Sequence, residues 1–439
     1  MKKKFVISSL LILNLLFSCT PFSDSGSWKS YVFSDKITTG IGAHVNPFDT
    51  VMQLNYFLYD HKSENYAKKM EDLYKSEIIR LHQLYDTHYK YYYNKEEKIV
   101  YNNAYILNSK YGSQEEISLD PDLYNLLKDS INYCEITNGY FNIFAGQLSD
   151  YWKNIFNSLF PGGVLEELDP LYSLEQKEEL ERLVAAMPTL EETKSLFTFN
   201  DKKKTVVFNE LKNVDYNGEI LDRSKNGKYR PRLTLGGVAK GYATNLITEL
   251  FDKKGYDTAM FFSGGSSLSS VSKPIYDEET TPGQLIQVSD PRTANSLLGK
   301  RVAFSFYVDE KFAVSTSGNY SSGKSYSFID NEERIYRHHI IDPNNGYPAN
   351  FYRSVTIISN YFDAGILDAL STAFVSMPLE EALNFRRELL DDYNGKADLD
   401  VIFISQEGDN QTGTLKIDAT STFNDTFSVL EGVEVEFHE

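Results

Sequence analysis

The feature that most constrains the fold is a glycine-rich turn that leads into a helical pattern, LTLGGVAKGYATNLITEL at residues 233–250. A short strand-like approach reaches Gly236 and Gly237, and Lys240 lies near the start of a helix that Gly255 should end. The apolar residues that recur at helix spacing are Ala239, Tyr242, Ala243, Leu246, Ile247 and Leu250. This order can direct backbone N–H groups and a helix dipole at an anion. The stretch therefore predicts an anion-binding turn, with an ordinary tight turn as the alternative.

The composition of the 439-residue chain argues against two broad classes of protein. Hydrophobic residues make up 41% and aromatic residues 14%, which suits one large domain or two smaller ones and is too much for a disordered chain. The formal net charge of −18 argues against nucleic-acid binding, which needs clustered basic side chains. A small anionic ligand is still compatible with this charge, because a metal ion or a helix terminus can reverse the local sign.

The two cysteines have different predicted roles. Residues 1–18 carry three lysines and then an apolar run too short for a permanent membrane span, and Leu16-Phe17-Ser18-Cys19 resembles a lipoprotein cleavage box. We therefore expect a lipoprotein signal peptide at 1–18, a lipid on Cys19 that anchors the protein on the outer side of the cytoplasmic membrane, and a tether at 19–44. A plain secretory signal is the alternative. Cys134 is predicted to be a buried apolar residue rather than a reactive thiol.

The order of the periodic segments predicts an α+β fold, with largely antiparallel or mixed sheets flanked by helices. The folded domain is expected at residues 45–435. Strand patterns in its second half lie at 258–262, 302–308, 354–359 and 401–405. A glutamate-rich segment at about 153–200 has the character of an insertion. We interpret its glutamates as solvated helix faces rather than as a metal site.

Three further stretches carry groups suited to a phosphate ligand. A glycine pair follows a strand, three hydroxyls precede a glycine, and a histidine stands just before an Asp-Pro turn. The residues are Gly264 and Gly265; Ser315, Thr316 and Ser317; and His339, Ile340 and Asp342. Glycines allow close backbone approach, hydroxyls donate hydrogen bonds, and a histidine can act near neutral pH. Taken singly, each glycine pair is also typical of a tight turn, and His339 of a structural histidine.

Asp368 and Thr372 form the last candidate pair. They are four residues apart, so on a helix they share one face. A carboxylate and a hydroxyl are hard oxygen ligands of the kind that Mg²⁺ prefers. In isolation, the pair could also be an N-cap aspartate with a threonine of no special role.

The order of these motifs resembles that of the FAD:protein FMN transferase family, ApbE. The matching stretches are GGVAKGYA, the glycine pair after a strand, STSG followed by a tyrosine, HIIDPNNGYP and DALST. Three positions depart from the family pattern. Phe48-Asp49-Thr50 replaces Met-Gly-Thr, Thr234 replaces an aspartate, and Phe141-Asn142-Ile143 replaces Phe-Asp-Pro.

The resemblance implies a fold, a reaction and a set of roles. The fold would be a T-fold-like ApbE architecture. The enzyme would cleave FAD, its substrate, transfer FMN to a Thr or Ser of an exported carrier protein, and release AMP. Mg²⁺ would be held by the Asp368 carboxylate, the Thr372 hydroxyl and the Ala239 carbonyl, and His339 would act as the base. The other motif residues, with Gly236, Gly237 and Lys240, would contact FAD, although Lys240 could equally be a solvated helix residue.

Two other functions use the same residues. An FAD pyrophosphatase would employ the same metal site with water as the nucleophile. A non-catalytic flavin-binding lipoprotein would bind FAD without releasing AMP, and the pairing of Asp368 with Thr372 argues against it, because binding alone needs no such site.

Overall fold

A computed structural model describes residues 26–159, 169, 171, 173–276, 281–293, 301–319, 326–408, 412–423 and 427–439. The predicted signal peptide and Cys19 lie outside these ranges. The helices in the described part of the chain are α1 (Glu64–Tyr85), α2 (Ala104–Ser109), α3 (Pro121–Ile136), α4 (Gly146–Leu159), α5 (Leu174–Ala185), α6 (Leu190–Ser195), α7 (Ala239–Lys253), α8 (Ala364–Val375) and α9 (Leu379–Asp392). None of these helices has the length and apolar character needed to cross a bilayer.

The strands divide into a first and a second half. Those before α7 are β1 (Gly26–Phe33), β2 (Ile37–Thr38), β3 (His44–Val45), β4 (Met52–Tyr59), β5 (Tyr92–Asn94), β6 (Ile99–Val100), β7 (Ile117–Ser118), β8 (Phe197–Asn200), β9 (Thr205–Phe208), β10 (Val214–Tyr216) and β11 (Glu219–Leu221). Those after α7 are β12 (Ala259–Ser263), β13 (Ser267–Ser270), β14 (Gln284–Ser289), β15 (Val302–Val308), β16 (Ala313–Gly318), β17 (Tyr326–Asp330), β18 (Glu333–Arg337), β19 (Ser354–Ser359), β20 (Asp400–Glu407), β21 (Thr414–Thr420), β22 (Phe427–Val429) and β23 (Glu434–His438).

A nine-stranded sheet with the order β1-β4-β12-β13-β16-β19-β20-β21-β23 forms the centre of the fold. Its neighbouring strands are antiparallel, except that β23 runs parallel to β21 at the edge. A smaller antiparallel sheet, β14-β15-β22, accompanies it. The predicted class, α+β with largely antiparallel sheets and flanking helices, is confirmed.

Each face of the large sheet buries its own hydrophobic core. Successive side chains of a strand point to opposite faces, and on β19 Ile357 therefore packs in one core while Ile358 packs in the other. The first core lies against α1, α3, α7 and α8, and includes Ile78, Leu127 and Ile247. The second joins the sheet to the small sheet through residues such as Phe304. As expected, the Cys134 side chain is fully buried in the first core, and burial raises the pKa of its thiol to about 12.

The α7–α8 pair is built into this first core and positions the candidate site. Helix α7 begins directly after the glycine turn. Four residues of its predicted face are buried, and Leu246 and Leu250 are half-buried. Helix α8 is capped by Asp363, whose carboxylate accepts hydrogen bonds from the backbone N–H groups of Gly365 and Ile366. Asp368 is therefore in the helix interior and is not the cap that the alternative interpretation required.

Two predicted boundaries need correction. Strands β1 and β2 lie within the segment expected to be a tether, and β3 begins at its last residue. Strand β1 pairs with β4 along all eight residues. The strand forms because Trp28 packs edge-on against Phe57 and Phe33 is buried, which outweighs the serine-rich composition. At the other end, β23 extends the fold past residue 435.

The approach to the glycine turn is also not a strand. Arg232 makes only an isolated bridge to Ala145, and the backbone N–H of Thr234 donates to the carbonyl of Ile143. The glutamate-rich segment is helical where it is described, in α5 and α6. Several of its glutamates pair with basic side chains, as Glu179 does with Lys228 and Glu192 with Arg223.

Candidate active site

Asp368 lies at the contact between α7 and α8. Its side chain is 1% exposed, and its Oδ2 atom accepts a hydrogen bond of 2.9 Å from the backbone N–H of Gly241. A Cβ atom on Gly241 would lie 2.0 Å from the Ala364 carbonyl oxygen and 2.6 Å from Asp368 Cβ. The last glycine of the GGVAKG motif therefore allows the close approach of the two helices that brings the carboxylate to the turn.

A row of hydroxyls extends from this carboxylate along β16 and α8. Ser315 Oγ donates to Asp368 Oδ1 at 3.3 Å, and the Ser371 hydroxyl lies 3.4 Å from Ser315 and 2.8 Å from Ser317. Ser317 Oγ in turn lies 3.3 Å from Thr372 Oγ1. The four hydroxyls and the carboxylate thus form one polar network between the strand and the helix, buried except at the half-buried Thr372.

The network ends at the glycine turn. Thr372 Oγ1 lies 3.4 Å from the carbonyl oxygen of Gly237, and a Cβ atom on Gly237 would come within 3.0 Å of the same hydroxyl. Thr372 Oγ1 also donates to the backbone carbonyl of Asp368 at 3.0 Å, and Gly237 supplies the carbonyl that reaches it from the glycine turn. Ala239 is the first residue of α7, where a carbonyl is directed along the helix axis toward the N–H group four residues later.

Lys240 links this network to a neighbouring cavity. Its Nζ atom lies 3.9 Å from Asp368 Oδ2 and 3.1 Å from the carbonyl oxygen of Gly236. Lys240, Gly236 and Ala239 also line a cavity of about 150 Å³, together with Asp49 and Thr234. A positive charge therefore stands between a buried carboxylate and an open space large enough to admit part of a ligand.

Thr316 differs from its two neighbours. Strand alternation turns its side chain to the other face of the sheet, where its hydroxyl lies 2.9 Å from that of Thr356. Ser315 and Ser317 face α8, and Thr316 does not. The predicted trio therefore contributes two hydroxyls to this network.

The Gly264-Gly265 turn packs beside the segment that precedes β4. Both glycines have positive φ, 66° and 71°, and a Cβ on Gly264 would lie 1.9 Å from Thr50 Oγ1. Ser263 at the start of the turn exchanges a 2.7 Å hydrogen bond with Thr244 of α7. These contacts give the glycine pair a packing role at the edge of the site.

The predicted base, His339, follows a fully buried histidine, His338. The backbone N–H of Ile340 donates to His338 Nδ1, so the ring carries its proton on Nε2 and donates it to the Ala349 carbonyl. Burial lowers the pKa of His338 to about 3. His339 itself is exposed to solvent. The buried structural histidine, His338, therefore directly precedes the exposed one, and of the two only His339 can contact a ligand.

The turn after His339 is stabilised by hydrogen bonds between its own residues. Asp342 accepts hydrogen bonds from the Asn344 backbone and the Asn345 side chain, and burial raises the pKa of its carboxyl. Trp152 donates its indole N–H to the Gly346 carbonyl at 2.7 Å. Ile340 is buried and contributes its backbone to the His338 contact. In this structure Asp342 and Ile340 shape the turn that presents His339.

Sequence reasoning missed two contributors to the site. Ser371 joins Ser315 to Ser317, and its signal was its position three residues after Asp368, on nearly the same helix face. The Gly237 carbonyl could not be distinguished from its neighbours, because the direction of a backbone oxygen in a turn is not encoded by any single residue type.

A second group of possible ligands lies at the far edge of the sheet. Asp418, Glu436 and His438 bring their ligand atoms within 4.8 Å of one another. Lys416 Nζ lies 3.2 Å from Asp418 and 2.9 Å from Glu436, so both carboxylates already pair with an internal cation. The group fastens β23 to β21.

Comparisons with known proteins agree with the fold. Among solved structures, similar ones are the ApbE protein of Thermotoga maritima (22% identity, TM-score 0.56, 91% of this chain and 98% of that one), the flavin transferase ApbE of Vibrio cholerae (16%, 0.56, 92% and 100%) and the flavinyl transferase ApbE of Pseudomonas stutzeri (15%, 0.54, 91% and 96%). No curated protein matches the sequence. The sequence model of the ApbE family matches residues 48–394. Because this match spans most of the chain, the protein belongs to the ApbE family.

Proposed function

We propose that this protein is a flavin transferase that cleaves FAD, attaches FMN to a threonine or serine of a carrier protein and releases AMP. Its family membership supports this function, as do the two structural neighbours described as flavin transferases. The observation that carries the proposal is the convergence of Asp368, Thr372 and the Gly237 carbonyl, with Lys240 between Asp368 and the cavity that it lines. Phosphoryl transfer requires such charged and polar groups to be positioned around a phosphate.

The donor set fits a hard divalent cation. A buried carboxylate is expected to be paired or to coordinate a metal, and the Lys240 ammonium is 3.9 Å from Asp368. We assign Mg²⁺ to the Asp368 carboxylate, the Thr372 hydroxyl and the carbonyl of Gly237, in place of the Ala239 carbonyl expected from the sequence. When bound, Mg²⁺ supplies the neutralisation of phosphate charge that an acidic protein otherwise lacks.

The chain's own residues would position the reacting groups. Lys240 and the glycine turn hold the pyrophosphate of FAD, and Ser315 keeps the Asp368 carboxylate oriented. The carrier hydroxyl attacks the phosphorus on the FMN side, and the bond from that phosphorus to the bridging oxygen of AMP breaks. His339 takes the hydroxyl proton, and AMP leaves with the bridging oxygen.

The location and the partner are further parts of the proposal. The lysines, the apolar run and Cys19 in the first 19 residues support export and a lipid anchor facing away from the cytoplasm. An exported flavin-accepting protein would then be the carrier.

Mass measurement of a candidate exported carrier, incubated with this protein, FAD and Mg²⁺, tests the function. We expect the carrier to gain one FMN and AMP to appear in equal amount, and Asp368→Asn to abolish both. Asp252→Asn, an equal charge change at an exposed position near the end of α7, is the matched control. Rapid release of FMN and AMP without a carrier would identify a pyrophosphatase instead, and FAD binding without AMP release a binding protein.

A further inference from the structure

The segment before β4 holds two adjacent residues in a left-handed backbone conformation. Phe48 has a φ of 51° and Asp49 a φ of 54°, a region that favours glycine. Side chains with such backbones persist where the surrounding structure enforces them, and they cluster at functional sites. The left-handed conformation of Phe48 and Asp49 therefore needs a structural or functional explanation.

A buried histidine enforces this conformation. The backbone N–H of Phe48 donates to His82 Nδ1 at 3.1 Å, and the Phe48 ring meets the imidazole edge-on at 5.5 Å between centroids. Because Nδ1 accepts, the proton is on Nε2, which donates to the Tyr91 hydroxyl at 3.1 Å. Tyr91 then donates to Asp86 Oδ2 at 2.6 Å. Burial lowers the pKa of His82, which keeps the imidazole neutral and able to accept.

Asp49 projects from this fixed turn beside the cavity next to Lys240. Two carboxylates line the cavity, those of Asp49 and Asp86. Asp86 is occupied by the Tyr91 hydroxyl and by the backbone N–H groups of His88 and Tyr89. Within the described part of the chain, the Asp49 carboxylate has no hydrogen-bond or ion-pair partner, and the residue is exposed. Of the two carboxylates in the cavity wall, that of Asp49 is therefore the one that the described part of the fold leaves unused.

The cavity wall carries opposite charges at two places, Lys240 and Asp49, and these charges should orient a bound ligand. Lys240 favours phosphate near the glycine turn, whereas Asp49 repels phosphate and accepts hydrogen bonds from neutral donors. Two oxygens of one carboxylate suit the hydroxyls of a sugar or a sugar alcohol. We propose that Asp49 is a specificity-determining residue that accepts hydrogen bonds from hydroxyls of FAD, in its ribose or its ribityl chain. This inference rests on the proposed use of FAD. It adds a residue through which the protein would distinguish FAD from nucleotides with fewer hydroxyl groups.

Equilibrium binding tests the proposal without any transfer reaction. The dissociation constants of the full chain would be measured in Mg²⁺ for FAD, for an analogue lacking the ribose 2′-hydroxyl and for an analogue lacking one ribityl hydroxyl. We expect one of the two analogues to bind the wild-type protein about 10- to 100-fold more weakly than FAD, the usual effect of losing a hydrogen bond to a charged group. The analogue affected identifies which hydroxyls Asp49 contacts.

Two substitutions at Asp49 separate recognition from folding. Asp49→Gly removes the carboxylate and suits the positive φ, so its melting temperature should equal or exceed that of the wild type while the ratio between FAD and the affected analogue falls to about one. Asp49→Asn should give an intermediate ratio, and Asp252→Asn should leave the ratio unchanged.

Two outcomes would overturn the inference: equal binding of FAD and both analogues by the wild type, or the same discrimination in Asp49→Gly as in the wild type. The binding ratio is independent of FMN transfer. A protein that discriminates hydroxyls through Asp49 but never flavinylates a carrier would contradict the proposed function alone.

Discussion

The hydroxyl of Thr372 lies 3.4 Å from the carbonyl oxygen of Gly237, although 135 positions separate the two residues in sequence. The contact exists because α7 and α8 pack closely, with Gly241 of α7 against Ala364 of α8. It brings a backbone oxygen of the glycine turn to the helix that carries Asp368.

Replacing Thr372 by valine keeps the shape of the side chain and removes its hydroxyl. We expect Thr372→Val to lower FMN transfer by more than about 100-fold, the scale of loss when one group that stabilises developing charge is removed. Thr372→Ser retains the hydroxyl and should keep most of the rate. Initial rates of AMP release with saturating carrier measure the difference, and equal rates for the two variants would remove Thr372 from the site.

Mg²⁺ should stabilise the protein through Asp368. A ligand that binds only the folded state at about ten times its Kd adds about 1.4 kcal/mol to the free energy of unfolding. Thermal melts in Mg²⁺ and in a chelator should therefore differ for the wild type and for Asp252→Asn. In Asp368→Asn the two melts should coincide. A shift that survives in Asp368→Asn would place the cation elsewhere.

Gly241→Ala should loosen the contact between α7 and α8. Its new methyl group would lie 2.0 Å from the Ala364 carbonyl oxygen, so the helices must separate, at a cost of about 2–3 kcal/mol. For a chain of this size that corresponds to a fall in melting temperature of about 3 °C. Gly236→Ala is the matched control, since a Cβ there meets nothing within 4 Å and should leave the melting temperature unchanged.

His338 should make the protein less stable in mild acid. Its pKa is about 3 in the folded protein and about 6.5 in the unfolded chain, so below pH 6.5 only the unfolded chain binds the proton. The stability contribution is complete above pH 6.5 and is lost progressively toward pH 3, by about 2 kcal/mol at pH 5.

Chemical denaturation at pH 7 and pH 5 measures this loss. His338→Gln should be less stable at pH 7 but should lose about 2 kcal/mol less than the wild type between the two pH values. The exposed His61→Gln is the control and should follow the wild type. An unchanged pH dependence in His338→Gln would show that His338 does not titrate as proposed.

The parts of the site that follow local rules were predictable from the sequence. Asp368 and Thr372 lie on one face of α8 because their spacing is that of a helix face. The broad fold followed from the order of periodic segments. Each of these features depends on residues within one or two helical turns.

The parts that depend on long-range packing were not predictable. Thr316 belongs to a hydroxyl trio, but a strand presents alternate residues to opposite faces, and the face is set by the sheet. The serine-rich chain around β1 resembles a linker, and it forms a strand because Trp28 packs against Phe57 of β4 and Phe33 is buried in the first core. The left-handed turn at Asp49 arises from His82, which lies 34 positions from its partner Phe48.

Under the proposed lipid anchor at Cys19, the position of β1 would also limit the distance between this domain and the membrane. β1 is an edge strand of the central sheet, so the folded domain begins by Gly26. With a lipid on Cys19, seven residue steps join the anchor to β1, and even a fully extended chain of that length reaches only about 25 Å. The domain would work within one protein diameter of the bilayer surface. It would therefore modify carriers whose acceptor hydroxyl lies close to the membrane, or on a segment that can bend toward it, in preference to freely diffusing proteins.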